Sequence, residues 1–185
     1  MTRRAAVLAL CLALPGVARA YDQAFDAGAL IIPNQAEYQS DCGSASAYGL
    51  AYRLLQKRIT VNWIINPTKA SHDRCVNDDE SAVQNDGCDL VVRNALGRPV
   101  SLVDNAAGTW GPFGGTPPYY TPNDGPAVMK YMGAPFVVDA TQAAEALELL
   151  KSDPDFAAYR KSCTCNGLPQ AQNGCHYVKV HRAEA

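Results

Sequence analysis

Residues 29–33 read Ala-Leu-Ile-Ile-Pro, an unbroken apolar run stopped by proline, which predicts a strand buried on both faces. From Ser44 to Lys57 the apolar positions Ala47, Leu50, Ala51, Leu54 and Leu55 recur at helical spacing. Residues 60–65, Thr-Val-Asn-Trp-Ile-Ile, are β-branched and aromatic and end at Asn66-Pro67, predicting a second strand. Strand, helix and strand within forty residues make a βαβ unit. Further on, Asp89-Leu-Val-Val-Arg93 and Val100-Ser-Leu-Val-Asp104 flank Gly97-Arg98-Pro99 and fit either a hairpin or two separate strands. Pro135-Phe-Val-Val-Asp139 predicts another strand. It leads into an amphipathic helix over 141–151, where Asp139 and Gln142 have the spacing of a capping box. A short helix over 154–161 and an alternating strand over 176–181 complete the pattern. Five or six strands with interleaved helices predict an α/β fold, a three-layer flavodoxin-like sandwich with a mostly parallel sheet.

The first twenty residues follow a different pattern. A basic start (Arg3, Arg4) precedes an apolar run of about ten residues, a Pro15-Gly16 break, and Ala18-Arg19-Ala20 before Tyr21. This is the layout of a signal peptide cleaved near Ala20, leaving 21–185 as a single α/β domain in the periplasm or outside the cell. The run is too short to cross a bilayer, which takes about 20 helical residues, and no later segment approaches that length, so no membrane span is expected. Cleavage removes Arg3, Arg4 and Arg19, leaving 13 basic residues against 18 acidic ones, a net charge of −5. An acidic chain offers no electrostatic reason to expect a nucleic-acid partner.

The same cleavage removes Cys11 and leaves Cys42, Cys75, Cys88, Cys163, Cys165 and Cys175. An even six in an exported chain reads as three disulfides, drawn from fifteen connectivities. Cys75 with Cys88, Cys175 with Cys163 or Cys165, and Cys42 with the remaining one is the pairing we favour. Zinc is the rival reading, but Cys163-Thr164-Cys165 has one intervening residue where zinc sites favour two, so no metal is assigned. Cys42, just before a helix, has the position of a reactive thiol but no companion histidine at a recognisable spacing.

Ala29-Leu-Ile-Ile-Pro33, Tyr38-Gln39, Ala47-Tyr48-Gly49-Leu50, Leu54-Leu55, Val61-Asn-Trp-Ile-Ile-Asn-Pro67 and Gly133-Ala-Pro-Phe-Val-Val-Asp139 resemble a group of uncharacterised exported bacterial proteins. Their domain is similar to the flavodoxin-like, class I glutamine-amidotransferase-like fold. The resemblance covers about a third of the mature chain and implies that fold and an exported setting. It carries no activity. Members usually have an acid two residues after the proline, where this chain has Gln35.

Signatures of catalysis are mostly absent. There is no G-x-G-x-x-G, no G-x-x-x-x-G-K, no H-E-x-x-H, and no G-x-S-x-G or G-x-C-x-G turn, and no cofactor is indicated. His176 and His181 are five apart on a strand and face opposite sides, while His72 sits in a polar stretch. In open α/β sheets ligands bind beyond the carboxyl ends of the strands. Those ends carry Asn34, Gln35, Glu37, Asn66, Asp104 and Asp139, a polar rim fitted to a small polar ligand. The competing account is that turns favour Asn and Asp for local backbone reasons and that Asp139 caps its helix. The segment 108–120 sets Trp110, Tyr119 and Tyr120 among glycines and prolines, a composition that offers flat faces to a glycan or peptide, or plugs a groove. Residues 78–89 hold five carboxylates, a calcium-like composition without EF-hand spacing. The expectation is an exported binding or structural module, with a hydrolase or amidotransferase-like enzyme working at the rim as the alternative.

Overall fold

The computed structural model describes residues 24–35, 38–39, 43–67, 69, 87–94, 100–104, 109–112, 127–160 and 178–184. The expected signal peptide over residues 1–20, Glu37, Tyr119, Tyr120, His72, His176 and the acidic stretch up to Asp86 lie outside these residues. So do Cys42, Cys75, Cys163, Cys165 and Cys175.

The predicted elements form close to where the pattern places them. They are β1 (Leu30–Ile32), α1 (Gly43–Gln56), β2 (Asn62–Trp63), β3 (Leu90–Asn94), β4 (Val100–Asp104), β7 (Phe136–Val138), α2 (Ala140–Ser152) and β8 (Val180–Ala183). A 3-10 turn at Pro154–Phe156 and a single helical turn, α3 (Ala157–Arg160), follow α2. Two strands were not predicted: β5 (Thr109–Pro112), in the glycine- and proline-rich segment 108–120, and β6 (Ala127–Tyr131). Trp110 therefore stands on a strand, with its backbone paired to Val103.

The mostly parallel flavodoxin-like sheet is not what forms. The main sheet has the order β2-β7-β1-β8-β4-β5, and every neighbouring pair in it is antiparallel. Strands β3 and β6 pair separately as an antiparallel ribbon, so of the two readings of 89–104 it is two separate strands, not a hairpin, that forms. Strands β1 and β2 do run in the same direction, as a βαβ unit requires, but β7 is inserted between them and opposes both.

The correction has a physical basis. A continuous apolar run shows that both faces of a strand are covered, not what covers them. Here Leu30 and Ile32 pack on one side with Leu50, Leu54, Ala146 and Leu150 of the helices. Ala29 and Ile31 pack on the other with Met129 and Tyr131 of the ribbon, and with Val137. Helices shield one face and the ribbon the other, so no right-handed helical crossover between neighbouring strands is needed. As for disulfide staples, no pair has both cysteines within the described residues. Cys88 is buried and disulfide-bonded, its partner lying outside them.

Local chemistry explains the two ends that matter for the site. Helix α1 stops when Arg58 takes a left-handed conformation (φ 68°). The Ile59 N–H then donates to the Leu54 carbonyl and the Arg58 N–H to the Leu55 carbonyl, a Schellman closure sealed by burial of Leu54 and Ile59. That closure aims the chain into β2. Helix α2 begins at Asp139, whose carboxylate accepts from the Thr141 N–H (2.9 Å) and hydroxyl (2.7 Å). The expected capping box is half made, because the Gln142 amide reaches across to the Thr60 N–H (2.9 Å) instead of back to its own helix start.

Candidate functional site

Three of the predicted rim residues converge, and what they hold is backbone. The turn 132–135, which leads into β7, has Ala134 at φ 50°. Gln35 Oε1 accepts from the Met132 N–H (2.8 Å) and the Gly133 N–H (3.3 Å). Asn34 Nδ2 donates to the Ala134 carbonyl (2.6 Å). From below, the Asp89 carboxylate, shut off from solvent, accepts from the Ala134 N–H (2.9 Å), the Asn66 N–H (2.9 Å) and Lys69 Nζ (2.7 Å). Lys69 Nζ also donates to the Met132 carbonyl (2.8 Å), and Asn66 Nδ2 to the Cys88 carbonyl (3.0 Å). A side chain at Gly133 would meet Gln35 backbone at 3.0 Å, which explains a glycine there.

The rim is thus a clamp on one turn. Asp89, the last of the five carboxylates in the acidic stretch, is a buried anion paired with the exposed Lys69. Asp139 lies at the other end of β7 from this clamp and caps α2, where the bonds from Thr141 hold its carboxyl below the usual range. Asp104 ends β4, two strands from β1 in the sheet order.

The ribbon side of the main sheet hides a polar cluster that the sequence pattern did not reveal. His181 is fully buried on β8, its Nδ1 2.7 Å from the Tyr131 hydroxyl. Tyr38 packs edge-on to Tyr131 (5.3 Å between ring centres, 83°) and donates its hydroxyl to the Lys130 carbonyl (2.7 Å). Burial lowers the His181 pKa to about 3 and raises that of Tyr131 well above 10, so the two form a neutral pair. Gln39, also buried, joins β1 to β8 by bonds to the Pro33 carbonyl and to both backbone groups of Lys179.

Polar groups lie inside, and large apolar ones are left outside. Tyr48, Tyr52, Leu55, Trp63 and Ile65 are each 50–60% exposed. Tyr48, Tyr52 and Leu55 fall at i, i+4 and i+7 on α1, a second apolar stripe beside the buried one. Tyr48 meets Trp63 edge-on at 6.2 Å and Phe136 edge-on at 5.2 Å, while Trp63 lies 5.8 Å from Phe136. The Trp63 indole N–H donates to the Ala134 carbonyl (2.9 Å), the same oxygen that Asn34 holds. The clamped turn therefore positions the Trp63 ring of the patch. Leu55, grouped with the core by its spacing, belongs to this exposed surface. The sequence analysis missed this surface, and the i, i+4, i+7 recurrence of Tyr48, Tyr52 and Leu55 is the signal that could have found it.

A cavity of about 500 Å³ lies between the ribbon and the main sheet, lined by Phe25, Ala29, Ile31, Leu90, Val92 and Val137. Of its lining, Ala29, Ile31 and Val137 are almost wholly shielded from solvent. Among the described residues no group of three His, Cys, Asp or Glu could hold a metal ion, and no helix is long and apolar enough to cross a membrane. No protein-family model, curated protein or solved structure matches the chain.

Proposed function

We propose that the protein is an exported binding module, working at or outside the cell surface, that takes its partner on the aromatic surface shared by α1 and β2. One observation carries this reading: five large apolar side chains, three of them aromatic, stand at least half exposed on α1, on β2 and two residues beyond β2 at Ile65. Contiguous apolar surface of this kind marks interaction sites, because leaving it in water is unfavourable by about 25 cal/mol per Å². The leader-like first twenty residues support the exported setting. An enzyme acting at the rim draws less support, since the polar atoms of Asn34, Gln35 and Asn66 that make contacts are directed to backbone groups and Asp139 caps a helix.

The test is fluorescence. Trp63 and Trp110 are the two tryptophans, so a Trp110→Phe variant reports Trp63 alone. Titration with panels of oligosaccharides and of peptides should shift its emission with at least one class, and Tyr52→Ser should weaken that response. A Trp63 signal unmoved by every member of both panels overturns the reading.

A further inference from the structure

We infer that the partner is an extended peptide segment, acidic and apolar by turns, that adds as a new strand to the open edge of β2. The inference rests on the reading that the α1–β2 surface is the binding face, and it names what that face receives.

In the β2–β7 ladder Asn62 pairs with Val137 and Trp63 with Phe136, and the Ile64 N–H donates to the Pro135 carbonyl (3.0 Å). Alternate residues of an antiparallel strand turn their N–H and C=O groups to opposite sides. Asn62 and Ile64 address β7, so Val61, Trp63 and Ile65 address the other side. On that side the main sheet ends, β2 being its terminal strand among the described residues. An unpaired row of this sort is a template for strand addition, with main-chain bonds supplying affinity and alternate side chains supplying specificity.

The side chains fit the same occupant. Trp63 and Ile65 stand on the helix face of that edge, both more than half exposed, and Tyr48 meets Trp63 edge-on to close the helix side. An added strand would lay every second side chain against this wall. A sugar would use the ring faces but leave the outward N–H and C=O groups unmatched, so the edge favours peptide over glycan.

Charge selects the composition of that peptide. Residues 43–65 contain no Asp or Glu but carry Arg53, Lys57 and Arg58, in a chain that is acidic as a whole. Lys57 is held by Asp153 (2.7 Å) and Asp155 (2.9 Å), which leaves the exposed Arg53 and Arg58 as the cations available to a partner. Arg58 occupies the left-handed position that glycine takes with least strain, so this cation stands at the entry to β2 at a backbone cost.

The experiment is selection of random decapeptides displayed on phage against the full mature protein, with the Tyr52→Ser variant as counter-target. Tyr52 is the most exposed of the five, so this variant should fold, as circular dichroism will check. Enriched peptides should alternate apolar with acidic residues. A synthetic copy should lose at least tenfold in affinity when N-methylated at alternate residues in one register and little in the other. Arg53→Glu with Arg58→Glu should weaken it several-fold, and amide exchange should slow at Val61, Trp63 and Ile65. Peptides that bind with N-methylation tolerated in both registers would leave the aromatic surface as the binding face and overturn strand addition. Oligosaccharide binding at Trp63 with no peptide enriched would have the same meaning. If no peptide and no oligosaccharide perturbs Tyr48, Tyr52 or Trp63, both proposals fall.

Discussion

Two regions of this molecule invert the usual placement of residues, and they do so in opposite ways. Around the turn 132–135 and at His181, polar and ionisable side chains lie inside; on α1 and β2, tyrosines and a tryptophan lie outside. In the first region Asp89 has three donors and Gln35 Oε1 accepts two backbone N–H groups. In the second the rings touch one another but leave half of each side chain in water. The difference separates scaffold from contact surface. Buried polar groups committed to backbone hold shape, while exposed apolar groups keep interaction energy in reserve for a partner.

That comparison can be broken most directly at Asp89. Asp89→Ala leaves the part-buried Asn66 and Ala134 N–H groups without their charged acceptor and frees the exposed Lys69, and should cost about 2–4 kcal/mol in urea unfolding. A loss below about 1 kcal/mol would mean that the clamp is not structural. The next largest effect is that of pH. His181 titrates near 3 in the folded protein against 6.5 when unfolded, so below pH 6.5 the unfolded chain takes up a proton that the folded one refuses. Stability should hold above pH 6.5 and fall by about 1.4 kcal/mol per unit as pH drops toward 5. His181→Gln should flatten that slope, and an unchanged slope would place the titrating group elsewhere. Tyr131→Phe removes the hydroxyl that meets His181 Nδ1 and should cost about 1–3 kcal/mol, because a buried ring nitrogen loses its partner. Smallest of all, Tyr52→Ser and Ile65→Ser should change stability by no more than about 0.5 kcal/mol while weakening partner binding. A large destabilisation at these two positions would make the aromatic surface part of the core and erase the contrast.

Much of the local structure was legible in the sequence. The helical spacing of Ala47, Leu50, Ala51 and Leu54 marks the buried stripe of α1, and the apolar run at 29–33 marks a strand covered on both faces. Asp139 caps α2, as local backbone chemistry led one to expect. The rim was half legible: Asn34, Gln35 and Asn66 do converge, because β1 and β2 flank β7, run in the same direction and finish at the same end of it. Their role as a clamp was not, since it depends on the turn 132–135, about a hundred residues further along the chain from Asn34 and Gln35. Strands β5 and β6 escaped because their glycine- and proline-rich setting reads as loop. His181 escaped because one histidine in an alternating strand does not reveal which face will be sealed.

The sequence by itself determined the elements and their buried sides, since periodicity and breaker residues act over one to four positions. It also encoded the cluster of Tyr48, Tyr52 and Leu55 at helical spacing. Only the tertiary structure decided that neighbouring strands run antiparallel, that a ribbon covers the second face of the sheet, and that Trp63 joins Tyr48 at its edge. Those outcomes depend on which distant segments pair, and burial constrains a strand to be covered without naming the partner that covers it.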